Sequence, residues 1–177
     1  MKSLKVAAVA AFLLLVGGCG SAPGVGGSDQ VIPLTQIDQN LQSRLPISRK
    51  ASFGTVKILG MALQPSTDNR TMEVSVKFIL TSYEIPEGIE GLITYQAQLR
   101  YAPESRRLYL SELKPLRLSF GNPSLEEYVS TAARKGIATL VASTLRTLPI
   151  QTMPEGFRAK GIEKAAIVKD QLMVDFN

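Results

Sequence analysis

Between Ser124 and Leu148, apolar or small residues recur at every fourth position in two adjacent rows. These are Leu125, Val129, Ala133, Ile137, Val141, Leu145 and Tyr128, Ala132, Gly136, Leu140, Thr144, Leu148. The pattern predicts one long helix. Because an α-helix repeats every ~3.6 residues, a strict spacing of four turns the stripe by roughly 40° per step, about half-way round over its length. A flat sheet or a single neighbouring helix would touch only part of such a spiral, so an element that follows it round is expected. An ordinary core helix is the plainer alternative, since an apolar stripe is the norm for packed helices. Ser124 and Glu127 offer an S-x-x-E capping box behind Pro123, with Glu126 and Glu127 at the positive end of the dipole, and Arg146 and Pro149 mark the far end. At ~1.5 Å per residue, a helix over 124–148 would span roughly 37 Å. Gly136 weakens its interior, and either a strand approaches closely there or the glycine has no consequence.

The beginning of the chain bears on compartment. Lys2 and Lys5 precede an apolar run from Val6 to Val16 that is too short for a spanning helix, as in a secretory signal peptide. Its ending, Val16-Gly17-Gly18-Cys19, resembles the bacterial lipobox, with Val where Leu is commoner and Gly where Ala or Ser is commoner. The resemblance implies lipidation of Cys19 and cleavage before it. Cys19 is the only cysteine, so no disulfide can form within the chain. Loss of Lys2 and Lys5 would leave 18 basic against 15 acidic residues, a charge of +3 in place of +5, which is no nucleic-acid footprint. Gly20 at the next position, in place of the Asp that retains such lipoproteins at the inner membrane, implies the outer membrane, facing the periplasm. Gly20 to Asp29 has the Gly/Ser/Ala composition of a flexible tether. The expected organisation is a signal peptide over 1–18, the acylated cysteine and tether over 19–34, and a single domain over 35–177.

Within the domain, Thr35 with Asp38 suggests a cap for a short amphipathic helix from Leu34 to Leu45, ended by Pro46. The period then changes to two. Phe53 to Leu63 reads as a strand interrupted near Gly60, followed by a turn-like stretch from Gln64 to Arg70. Thr71 to Thr81 alternates clearly, with Met72, Val74, Val76, Phe78 and Leu80 on one face. Ile89 to Tyr101 places Ile93, Tyr95, Ala97, Leu99 and Tyr101 inward. Arg107 to Phe120 keeps Leu108, Leu110, Leu116, Leu118 and Phe120 in phase, while Glu112, Leu113 and Lys114 break it, so a bulge or bend is expected near Leu113 to Pro115. Ala165 to Val168 and Leu172 to Phe176 form a closing hairpin around Lys169, Asp170 and Gln171. Strands of about 11 to 14 residues span roughly 36 to 46 Å, close to the helix length. The fold class is therefore α+β, with a strongly curved antiparallel sheet of long strands wrapped around one long helix, a short N-terminal helix and a C-terminal hairpin.

In element order, Leu34 to Phe176 resembles the YceB-like family of small bacterial lipoproteins, related in fold to the tubular lipid-binding (TULIP) superfamily. The residues that carry the resemblance are Leu34-Thr35-Gln36-Ile37-Asp38 at the first helix, Gly91-Leu92-Ile93 at a long strand and Ile167-Val168-Lys169-Asp170 at the hairpin. It implies an elongated apolar cleft between sheet and helix, of the kind that holds lipid tails in that superfamily.

Histidine is absent and Cys19 is taken by the anchor, so the common metal clusters and His-dependent catalytic triads have no residues to form from. Ser111-Glu112-Leu113-Lys114 matches S-x-x-K but lies in a strand, without the partner motifs that chemistry requires. Asn69-Arg70-Thr71 fits a glycosylation acceptor of little meaning in a bacterial lipoprotein. Arg106 and Arg107, or Arg134 and Lys135, are either lipid-headgroup contacts or plain solvated surface. The expected function is non-enzymatic, with no metal or cofactor: burial of a fatty acyl chain or phospholipid against Val76, Phe78, Tyr95, Leu99, Leu118, Ile137, Leu140 and Val141, each of which would equally serve as core packing. The expected partners are the membrane through acylated Cys19 and a lipid ligand, not nucleic acid. The alternatives are a scaffold lipoprotein recruiting an envelope protein and a lipoprotein carrier.

Overall fold

Antiparallel pairing organises the chain in a computed structural model that describes residues 29–67 and 71–177. In order, the elements are β1 (Gln30–Pro33), α1 (Leu34–Gln42), β2 (Ile47–Ala51), β3 (Gly54–Pro65), β4 (Met72–Thr81), β5 (Ile89–Ala102), β6 (Arg107–Phe120), α2 (Pro123–Glu126), α3 (Thr131–Thr147), β7 (Pro149–Thr152), β8 (Ile162–Val168) and β9 (Gln171–Phe176). Strands β2 to β7 form an open, curved six-stranded sheet in sequence order, and β1-β9-β8 form a three-stranded sheet. The signal peptide, Cys19, most of the tether and the turn residues Asp68, Asn69 and Arg70 lie outside the described residues, and so does most of the Asn69-Arg70-Thr71 motif.

Alternation translates directly into burial. Met72, Val74, Val76, Phe78 and Leu80 are all buried on β4, and their partners Ile89, Ile93, Tyr95 and Ala97 are buried on β5. Period-2 patterning places every second side chain on the same face, and that face belongs to one core shared by both sheets, α1 and α3. Gly91 stands between Phe78 on β4 and Phe120 on β6, and a Cβ there would enter the Phe78 ring. The glycine lets that ring lie across β5 and meet Phe120 edge to face, with centroids 6.0 Å apart.

Two irregularities follow the sequence. The register of β3 shifts between Ile58 and Gly60, and that of β6 shifts opposite Thr94/Tyr95 and Gln96/Gln98. Glu112 takes a left-handed φ of 47° in the second of the β6 bulges. Leu116 is a correction. It is 54% exposed where an inward position was expected, because it is the extra residue between Pro115 (paired with Tyr95) and Arg117 (paired with Thr94). The hairpin of β8 and β9 turns at Lys169 and Asp170, both at positive φ, as a two-residue hairpin requires.

The single long helix is the largest correction. Helix α2 is one turn of four residues, and α3 begins at Thr131 and has 17 residues. At ~1.5 Å per residue α3 is roughly 25 Å long, about half the length of the 14-residue β6 it packs against, so the predicted length match does not hold. The S-x-x-E box is not used either: Asn122 Oδ1 accepts from the Ser124 amide, and Ser130 caps α3 by accepting from the Ala133 amide at 3.2 Å. Arg134 holds the break together. Its guanidinium donates to the Glu126 carboxylate (2.9 Å), the Glu126 carbonyl (2.9 Å) and the Val129 carbonyl (3.1 Å), and sits 5.2 Å from the Phe120 ring centroid. The Glu126 carbonyl, at the end of α2, also accepts from the Val129 amide at 3.1 Å, and the Val129 carbonyl lies in the break itself.

Smaller differences occur at the N-terminal helix. α1 stops at Gln42, short of Leu45, and no side chain caps its start. The Leu34 amide instead donates to the Asp170 carbonyl in the β8–β9 turn. Residues 30–33, placed with the tether on sequence grounds, form β1 against β9. Strands β2 and β7 have no expected counterpart, being short and without clear alternation.

Candidate functional site

Helix α3 meets the sheet along its first row. Ile137, Val141 and Leu145 are 1% exposed or less, and each such side chain contributes about 1.5–3 kcal/mol by leaving water. The second row goes inward only gradually: Ala132 is exposed, Gly136 and Leu140 are half-buried and Thr144 is buried. That is the drift expected of a four-residue spacing, carried by a helix only 17 residues long.

Tyr95, in the middle of β5 and fully buried, reaches across to α3 and donates its hydroxyl to the Ala138 carbonyl at 2.6 Å. Burial pushes its phenol pKa well above the usual range, while the Ala142 backbone amide and the Arg146 charge oppose the shift. At this point sheet and helix are joined by a direct bond. Of the expected apolar wall, Val76, Phe78, Tyr95, Ile137 and Val141 are fully buried in the core, and Leu99, Leu118 and Leu140 pack on its margin half-buried.

The open side of α3 faces the β2–β3 turn. There Phe53 lies over Gly136, where a Cβ would stand 2.5 Å from Phe53 Cε1 and 3.0 Å from Cδ1. The close approach considered at Gly136 is thus made by a ring in a turn. Beside it runs an open groove of about 460 Å³, lined by Ala51, Phe53, Ala132, Gly136 and Leu140, with Lys135, Thr139 and Ser143 along its edge. Its size falls in the range of small-molecule sites, roughly 300–1,000 Å³. Thr139 Oγ1 donates to the Lys135 carbonyl (2.9 Å) and Ser143 Oγ to the Leu140 carbonyl (2.8 Å), so both hydroxyl protons are turned back onto the helix. The groove wall is left apolar, with the exposed Lys135 as its cation. A second hollow of about 360 Å³ lies over Gly91, between Leu59, Lys77, Leu92 and Ser119.

Of the expected wall, Leu140 alone lines the α3 groove, and Phe78 lines the Gly91 hollow. Phe53, Ala51, Ala132 and Ser143 were not expected there. The spacing of Ala132, Gly136 and Leu140 was the available signal, but nothing in Ser52-Phe53-Gly54 indicates where that turn will dock. Of the pair considered for headgroup contact, Arg134 is committed to α2, and Lys135 remains exposed at the groove. Ser111 and Lys114 lie in β6 on either side of its bulge. Among the described residues no group of Asp and Glu side chains is placed to hold a metal ion. No protein-family model matches the chain, and no curated protein matches it in sequence.

Proposed function

We propose that the protein is a lipoprotein held by acylated Cys19 at the outer membrane, facing the periplasm, and that it binds an elongated apolar ligand such as a fatty acyl chain without catalysing a reaction. The likeness to the YceB-like and TULIP proteins belongs to this proposal. The observation that carries it is the apolar groove beside α3, with Phe53 lying over Gly136 in its wall. The ligand lies along this outer flank, not between sheet and helix, where Tyr95 donates to the Ala138 carbonyl and Ile137, Val141 and Leu145 are buried. Lys135 is positioned to meet a carboxylate or phosphate at the ligand's polar end.

The test is uptake of a fluorescent fatty acid by the full-length chain, with native mass spectrometry for a co-purified lipid. Ala132→Leu fills the groove on an exposed, helix-favouring position, and should weaken uptake about tenfold or more, roughly 1.4 kcal/mol, with Tm unchanged. Absence of both uptake and co-purified lipid would sink this reading. The closed α3–sheet interface favours one other, a scaffold lipoprotein with a filled core, for which uptake is absent and crosslinking captures an envelope protein.

A further inference from the structure

The two sheets treat their outer faces differently. On β4 and β5 the outward positions are mostly polar, including Glu73, Ser75, Lys77, Thr94, Gln96 and Gln98. On the three-stranded sheet they are mostly apolar. The register sets Val31, Met173 and Ala166 side by side across β1, β9 and β8, with Pro33, Gln171 and Val168 forming the next row. Val31 is 51% exposed, Met173 39% and Val168 45%, and these are three of the seven large apolar side chains exposed among the described residues. Their neighbours Ile32, Leu172, Val174 and Ile167 are buried on the opposite face, so pairing and packing do not explain the outward set.

The chain itself indicates what this face meets. From Cys19, the ten residues Gly20 to Asp29 lead into Gln30, the first residue of β1 on this sheet. Fully extended, ten residues reach at most about 33–36 Å. Strand β5, at 14 residues, is roughly 46 Å long. Its Tyr101 end packs on Phe176 of the small sheet, with ring centroids 5.3 Å apart, and Tyr83, fully exposed, lies in the loop before its other end. A lipid on Cys19 therefore holds Gln30, and with it the small sheet, within about that reach of the bilayer.

From this we infer that the outer face of β1-β9-β8 lies on the lipid surface, with Val31, Met173 and Val168 in the interface. The inference rests on the anchor at Cys19 proposed above. Lys164 and Lys169 border the patch, but Asp175 stands opposite Lys164 and Asp170 follows Lys169, so the contact is apolar and indifferent to anionic lipid.

The test uses the full-length chain reconstituted into vesicles of phosphatidylethanolamine and phosphatidylglycerol at 3:1, and again in phosphatidylcholine. With Cys19 acylated, the parent has no free thiol, and Met173→Cys or Tyr83→Cys supplies the only site for an environment-sensitive dye. The dye at 173 should be quenched by lipid-borne quenchers and shielded from aqueous iodide at least threefold relative to 83, equally in both lipids. Val31→Cys provides the same reading should Met173→Cys misfold. Equal quenching at 173 and 83 in an acylated chain overturns the docking face and leaves the anchor standing. A parent whose Cys19 reacts with maleimide overturns the anchor and the docking together.

Discussion

Helix α3 presents the same four-residue rows to two neighbours and receives opposite treatment from them. Toward β5 and β6 it buries Ile137, Val141 and Leu145 completely and accepts a hydrogen bond from Tyr95. Toward β2 and β3 it meets a two-residue turn and one ring, Phe53, and the groove remains. A strand running alongside a helix can supply a side chain at every turn, whereas a hairpin turn supplies one. An apolar row is therefore closed core or open groove according to what lies opposite, and its composition does not distinguish the two. The same holds for the two sheets, whose outer faces differ although both strand sets alternate.

The contrast can be broken most severely at Ile137. Ile137→Ala should cost about 2–5 kcal/mol in urea unfolding by leaving a cavity in packed core, against about 1 kcal/mol or less for Leu140→Ala on the half-buried flank. Equal losses would mean that the two sides are packed alike.

Next in size is Tyr95→Phe, which removes a buried hydrogen bond and should cost about 1 kcal/mol at pH 7. Its pH dependence carries a sign. Because the folded phenol titrates above its unfolded value of about 10, its contribution is fully present below pH 10 and falls above it by about 1.4 kcal/mol per pH unit. Thermal unfolding from pH 8 to 11 should therefore show a steeper alkaline decline in the parent than in Tyr95→Phe. Tyr101→Phe should remove a further part of that decline, since burial also raises the Tyr101 phenol and its hydroxyl has no hydrogen-bond partner among the described residues.

The smallest effect is expected at Gly136. Gly136→Ala gains about 0.8–1 kcal/mol of helix propensity but displaces the Phe53 ring, so the net change should lie within about 0.5 kcal/mol of zero. In a Phe53→Ala background the same substitution should stabilise by nearly the full propensity gain. A double-mutant cycle with no coupling would show that Phe53 does not rest on Gly136 in solution.

Much of the fold was legible because strands announce themselves locally. The alternation from Met72 to Leu80, the disturbed phase at Glu112 to Pro115 and the turn at Lys169 and Asp170 each follow from sterics and hydrogen bonding within a few residues. The helix start was misplaced for an instructive reason. Ser124-x-x-Glu127 satisfies a local capping template, while the actual start at Ser130 is accompanied by Arg134 reaching back to the carbonyls of Glu126 and Val129, an arrangement that requires the chain already to be bent. The groove was half legible, since Ala132, Gly136 and Leu140 lie in the predicted second row, but the turn carrying Phe53 has no periodicity to place it.

The sequence by itself determined which residues alternate inward on the long strands, where those strands bulge and turn, and that the helix segment carries two adjacent apolar rows. These are matters of period, propensity and backbone geometry. Only the tertiary structure decided that the helix breaks before Ser130, that residues 30–33 join the C-terminal hairpin, and that one flank of α3 is closed by Tyr95 while the other stays open beside Phe53. Those outcomes depend on which distant segment supplies a hydrogen-bond partner or fills a volume, and no local pattern encodes that choice.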